Sequence, residues 1–202
     1  MDIDSFHMVA SEPLRQAHTS RHRLAAWQAV VRQAEQAQAT DHLDTDYVAC
    51  APGCGTCCAI NVNILEPEAL AITDYVEKYF LPADKTALRS RLETLHRETR
   101  WLDDEERMMI RKACAFLDEQ QNCSVHPARP LLCRSLTSTD PVSCREAIGM
   151  LALGEPPRVI CNLRHKKLYE DAYLGLADAL KSFQLDAASY RLTGKLFTIL
   201  QN

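Results

Sequence analysis

Four thiols stand within nine residues in Cys50-Ala-Pro-Gly-Cys54-Gly-Thr-Cys57-Cys58. Five further cysteines follow at 114, 123, 133, 144 and 161. Deprotonated cysteine is a soft ligand that selects zinc, copper(I) or iron–sulfur clusters. Cys54 and Cys57 form a C-x2-C pair around Gly55, so two sulfurs can converge on one metal while backbone N–H groups offset thiolate charge. Cys50 adds a third sulfur at C-x3-C spacing. Cys58 adds a fourth, which would face a second metal, the core, or another iron of a cluster. The segment ACAFLDEQQNCSVHPARPLLCRSL supplies Cys114, Cys123 and Cys133, and Cys144 lies beyond it.

Charge bears on the same reading. A four-thiolate zinc site carries about −2 formally, and clusters are usually anionic as well. Arg129, Arg134 and Arg145 lie beside these cysteines. The guanidinium groups of Arg129 and Arg134 are expected behind the sulfurs, as donors and counter-charge to the bound group. The alternative is that these arginines are exposed, or pair with Asp118, Glu119 or Glu146. His126 follows Cys123 by three residues and is the one histidine that invites a ligand role, though it reads more readily as a loop residue or a donor behind the ligands. Cys161, within Val159-Ile160-Cys161, reads as a small buried hydrophobe, a role also open to Cys114.

Other chemistries find little support. The Cys50-x3-Cys54-x2-Cys57 spacing equals that of radical-SAM enzymes, but the strands of their barrel are missing. No βαβ pattern surrounds the C-x2-C pair, against a disulfide oxidoreductase. Neither GxGxxG nor GxxxxGK[ST] occurs. No Ser/His/Asp set or carboxylate pair stands out by spacing. Catalytic residues therefore stay unassigned, and a binding protein is favoured over an enzyme.

The net charge of −4 over 202 residues offers no global basic field for nucleic acid. The acidic start MDIDSFHMVASEP lacks the apolar run of a secretory signal, and no segment has the ~18 apolar residues of a membrane span. A cytoplasmic location is expected, where thiols stay reduced. An odd cysteine count also fits poorly with a closed disulfide framework.

The elements that must position these thiols read almost entirely as helix. A long Ala- and Gln-rich helix is expected from the cap-like Ser11-Glu-Pro to about Thr40, with Leu24, Trp27, Val31 and Ala34 on one face. A second begins near Glu66-Pro67, with a stripe of Ala69, Ile72, Val76, Tyr79 and Phe80. Leu81-Pro82 ends it, and a third helix carries Leu88, Leu92, Leu95, Thr99 and Leu102. Asp103–Glu106 reads as the acidic first turn of a helix running into Arg107–Lys112. Leu168, Ala172, Leu176, Ala179 and Phe183 make another stripe, and Leu192, Leu196, Ile199 and Leu200 a last one. Asn61–Leu65 and Ala115–Leu117 are short strand candidates. The expected fold class is all-α, a compact helical domain with cysteine-rich loops joined by a metal site and little or no β-sheet. Residues 1–45 are expected as a helical extension packing on a cysteine-cluster domain, 46–202.

Three separated elements resemble the zinc- or iron-chelating family of cysteine-cluster proteins (YkgJ-like, with a CxxCxxCC or CxxxCxxCC turn). Cys50, Cys54, Cys57 and Cys58 match the first. Cys114, Phe116, Leu117 and Asp118 match the second, and Cys123, Arg129, Pro130, Cys133 and Arg134 the third. The resemblance spans roughly residues 48–150. It departs at His126, where many members carry an aromatic residue, and at Ala115, where proline is common. It implies a metal, zinc or iron, held by Cys50, Cys54, Cys57, Cys58, Cys114, Cys123, Cys133 and Cys144. Eight thiols exceed the needs of one four-coordinate ion, so an iron–sulfur cluster or two sites is favoured over a single zinc. A redox or regulatory protein with a protein partner is expected, without nucleic acid or membrane. The alternatives are a modifying enzyme related to flagellin lysine methylases, which share a similar segment, or a purely structural zinc module.

Overall fold

A computed structural model describes residues 1–40, 48–151 and 159–201. The described residues are mostly helical, with one two-stranded sheet. The expected domain boundary at residue 45 lies outside them.

The long N-terminal helix expected from Ser11 is two helices. Helix α1 spans Ile3–Gln16, capped by the Asp2 carboxylate on the Ser5 N–H at 3.0 Å, and α2 spans Ser20–Thr40. Ser11-Glu-Pro is not a start. Pro13 lies inside α1 near its end, and Ser11 is buried. The chain leaves the helix at Ala17, whose backbone is extended. It re-enters at Thr19, whose carbonyl accepts the His22 and Arg23 N–H groups at 3.0 Å each. Proline also favours a first turn, which is why this site looked like one.

Phe6, Ala10 and Leu14 of α1, and Ala26, Trp27, Val30, Val31 and Ala34 of α2, join one core with the later helices. Their main partner is α8, Leu163–Ser182, which buries Leu168, Ala172, Leu176 and Ala179 as expected; Phe183 is half-buried. Gly175 sets that approach. A Cβ there would stand 2.5 Å from Phe6 Cβ and 2.7 Å from the Ile3 carbonyl.

Helix α3 spans Glu66–Tyr79 and α4 spans Pro82–Thr99. Each has proline in its first turn, where the missing N–H costs nothing. Ala69, Ile72 and Val76 are buried, but Tyr79 is 69% exposed and Phe80 only half-buried, because α3 ends there. Leu88, Leu92, Leu95 and Thr99 form the buried face of α4, while Leu102 lies past its end. Asp103 caps the short α5, Asp104–Met109, through a reciprocal pair with Glu106. That helix stops at Met109, short of Lys112, and Arg111 takes a positive φ of 52°.

The chain then runs through α6, Leu131–Ser135, and α7, Pro141–Leu151, before α8. Helix α9, Leu192–Leu200, buries Leu192, Leu196 and Leu200 and packs on α4. The strand candidate near Asn61 is realised as β1, Asn63–Ile64. It pairs antiparallel with β2, Tyr190–Arg191, Asn63 facing Arg191 and Ile64 facing Tyr190. This places the exit of the first cysteine segment against the C-terminal part of the chain. No helix among the described residues is long and apolar enough to cross a membrane.

Candidate metal centre

The first cysteine segment folds as two consecutive turns. The Cys54 N–H reaches the Ala51 carbonyl at 3.0 Å across Pro52-Gly53, with Gly53 at φ +86°. A 3-10 turn, Thr56–Ala59, then presents Cys57 and Cys58. Gly55 lies close against Leu117 and Gln121: a Cβ would stand 2.5 Å from Gln121 Oε1 and 2.8 Å from Leu117 Cδ1, so both side chains would have to move. The turn is therefore seated on the second cysteine segment.

Backbone hydrogen bonds fix that docking. The Cys114 N–H donates to the Cys58 carbonyl at 2.8 Å. Beyond it, residues 116–124 fold back as a loop. Leu117 and Cys123 form an antiparallel bridge, and the Ser124 N–H and hydroxyl both donate to the Phe116 carbonyl at 2.8 Å. Asp118 closes the tip by accepting the Asn122 N–H at 2.8 Å. Arg91 of α4 donates to the Ala115 carbonyl at 2.9 Å, tying this segment to the helical body.

Cys133 rides on α6, with Pro130 as its N-cap. Both ends of α6 are held by buried side chains. Glu68 of α3, fully buried, accepts the Leu131 N–H through Oε1 and the Leu65 N–H through Oε2, each at 2.8 Å. One carboxylate thus satisfies the free N–H groups of two helix starts. At the other end, Nε2 of buried His165 donates to the Arg134 carbonyl at 2.8 Å. Burial holds His165 below its usual pKa, hence neutral, and it pushes Glu68 up to about 7 against the two N–H bonds. Cys144 lies on α7, whose start is capped by Asp140 on the Val142 and Ser143 N–H groups. The Ala49 N–H reaches the Ser138 carbonyl at 2.8 Å, joining the approaches to Cys50 and to α7.

The eight cysteines expected as ligands lie near enough to feel one another's charge. Cys50 is affected by Cys57, Cys54 and Cys144, and Cys58 by Cys57, Cys114 and Cys133. Cys133 is affected by Cys114, Cys57 and Cys123. The Cys58 thiol hydrogen-bonds Cys57, which with Arg129 draws Cys57 down to about 7. The same bond keeps Cys58 protonated. Burial pushes Cys114 up to about 11 and raises Cys133, Cys123 and Cys50. Without metal the raised sulfurs of Cys58, Cys114, Cys123, Cys133 and Cys50 are thiols, and metal binding would displace their protons. All nine cysteines are free. Cys161 is half-buried beside exposed Val159 and 72% exposed Ile160, so the expectation of a core residue is corrected. The Val-Ile-Cys stretch is apolar, but among the described residues no helix or sheet buries Val159 and Ile160.

The two arginines divide. Arg134 is buried and commits Nε to the Arg129 carbonyl, Nη2 to the Pro127 carbonyl and Nη1 to Glu35 of α2, each at 2.9 Å. Those three donors go to oxygen, not sulfur, and Arg134 acts on the thiols only through its charge, as on Cys123. Arg129 is closer in effect, favouring the thiolate of Cys57, Cys123 and Cys133, and its buried Nε has no partner. Arg145 is exposed. His126, also exposed, lines a groove over α2 with Trp27, Val31, Glu35 and Arg134.

Three residues that position or face the thiols escape sequence reasoning: Glu68, His165 and Arg107. Glu68 has a local signal, three residues past an N-cap, but not its reach to Leu131. Arg107 is 1% exposed and acts on Cys114, and among the described residues it makes no ion pair and leaves Nη1 without a partner.

The donors fit a thiophilic metal in kind: soft sulfurs gathered from two docked segments, with an unpartnered Arg129 Nε beside them. Among the described residues no three Cys, His, Asp or Glu side chains already form a coordination shell, so gripping an ion requires thiol side chains to turn inward. Cys50, Cys54, Cys57 and Cys58 from the first segment, with Cys114, Cys123 and Cys133 from the second and Cys144 from α7, would hold it. When bound, the metal supplies Lewis acidity or, if iron, electron exchange.

A helical scaffold that docks two cysteine-bearing segments on each other is the arrangement of a cysteine-cluster metal-chelating protein. Residues 49–152, just over half of the chain, match the CxxCxxCC family model, described as "Putative zinc- or iron-chelating domain", and the chain belongs to that family. Comparison with curated proteins and with solved structures yields no match.

Proposed function

We propose that Cys50, Cys54, Cys57, Cys58, Cys114, Cys123, Cys133 and Cys144 bind an iron–sulfur cluster, or zinc, and that the protein serves a redox or regulatory role toward a protein partner in the cytoplasm. Residues 1–45 act as a helical extension on the 46–202 domain. The observation that carries this reading is the direct docking of the two cysteine segments, with Cys114 N–H bonded to the Cys58 carbonyl. Docking draws both sets of sulfurs into one mutually interacting group. Eight thiols outnumber the four ligands of one zinc ion, which favours a cluster or two sites.

The test is anaerobic purification followed by metal and acid-labile sulfide analysis and a visible spectrum. Iron with sulfide, at one equivalent or more per chain, is the expected outcome. Zinc without sulfide would replace the redox reading by a binding module. Metal-free protein with all nine thiols titratable in the native state would sink the proposal.

A further inference from the structure

We infer that Arg107, with Arg129, is the buried counter-charge of an anionic metal–thiolate centre, so that the bound group is a thiophilic ion or cluster held by three or more thiolates. This rests on the reading of the cysteines as ligands given above.

Arg107 is among the largest fully buried side chains, at 1% exposure. Arginine does not shed its proton in proteins, so this is a permanent buried charge. Buried charges are normally paired and hydrogen-bonded. Among the described residues Arg107 has no carboxylate partner and no side-chain hydrogen bond, and its Nη1 is fully enclosed without an acceptor. The group whose charge it meets is Cys114. Arg129 repeats the pattern toward other thiols: an enclosed Nε without a partner, acting on Cys57, Cys123 and Cys133. Two unmatched guanidinium donors thus address different members of one thiol group.

Charge balance then selects the occupant. A divalent ion held by two thiolates and two neutral donors is neutral and would leave both arginines uncompensated. A divalent ion in four thiolates carries about −2, as does a typical four-thiolate cluster, and two guanidinium groups offset that charge. Arg107 also has no structural duty that a neutral side chain of its length could not perform, since it holds no oxygen in place.

The experiment compares wild type, Arg107→Met and Arg107→Lys. Methionine keeps the apolar stem while removing the charge. Each protein is loaded with Zn²⁺ alone or, anaerobically, with Fe²⁺ and sulfide, whichever the wild type takes up. Affinity is read by chelator competition, and melting temperature is read with and without metal. Arg107→Met is expected to bind roughly 10–100-fold more weakly, the size of effect seen when a residue supporting metal ligands is lost. Its metal-free melting temperature should be unchanged or higher, because an uncompensated buried charge is gone. Arg107→Lys should recover part of the affinity. Wild-type affinity in Arg107→Met overturns the inference and leaves the thiol reading intact. So does a Met variant that fails to fold, or melts lower with and without metal at unchanged affinity, because Arg107 would then be structural. Wild type that takes up neither metal overturns the thiol reading, and this inference with it.

Discussion

Glu68 Oε1 accepts the Leu131 N–H at 2.8 Å across 63 residues of chain, so the α3 start and the helix carrying Cys133 share one buried carboxylate. Burial raises this carboxyl from an ordinary 4.5 to about 7. Between those values the native state holds a proton that the unfolded chain has lost. The contribution to stability is complete below 4.5 and is lost as pH rises through 7, by about 1.4 kcal/mol per pH unit within the window. Urea unfolding of metal-free protein from pH 4.5 to 7.5 should show this decline on top of other titrations. Glu68→Gln should flatten it by about one proton's worth. An identical pH slope in the variant would show that Glu68 stays ionised.

The cysteines should separate by place. Cys54→Ser and Cys57→Ser are expected to lose metal and the stability that metal confers, since binding to the native state is folding free energy. Cys161→Ser should keep both, as this residue lies beside exposed Val159 and Ile160, outside the two docked cysteine segments. Metal analysis and melting curves of the three variants decide it. Equal loss in Cys161→Ser would extend the site beyond α7.

The two motif arginines should fail differently. Arg134→Met removes three hydrogen bonds, including those that hold the Arg129 and Pro127 carbonyls, and should cost roughly 2–3 kcal/mol of stability with or without metal. Arg129→Met should leave metal-free stability nearly unchanged and weaken metal retention or, for iron, lower the reduction potential. Arg100→Met, at the exposed end of α4, is the silent control. Identical profiles for Arg129→Met and Arg134→Met would contradict the division.

Gly175→Ala tests the packing of α1 on α8. The added methyl would press on Phe6 Cβ at 2.5 Å, the Ile3 carbonyl at 2.7 Å and the His7 nitrogen at 2.9 Å, two of them backbone atoms. Overpacking of this kind costs roughly 1–3 kcal/mol. A melting temperature equal to wild type would mean that α1 can shift without penalty.

The local signals in the sequence were dependable where one helix decides its own fate. Pro67 and Pro82 mark the starts of α3 and α4, and the stripes of α4, α8 and α9 are buried apart from Leu102, Phe183 and Ile199, which are half-buried. Pro13 misled because the same residue is tolerated late in α1, where tertiary contacts to α8 outweigh the lost hydrogen bond. The β1–β2 pairing was half legible, since Tyr190-Arg191 is too short to announce a strand without its partner. The cysteine turn could be read from spacing. Glu68–Leu131, His165–Arg134 and Arg134–Glu35 could not, because 63, 31 and 99 residues separate the partners. Arg107 looked like one more charge on a polar helix, and only burial without a partner distinguishes it.

The hydrogen bond from Cys114 to the Cys58 carbonyl has a consequence for how metal arrives. The chain between these residues closes a long loop, and its closure entropy is met by the helical core before any metal binds. Sulfurs of the second segment are therefore presented to an ion on the first at a high effective concentration. Capture of an ion by thiols of both segments would then be a chelation within one folded molecule, with the helical frame already in place.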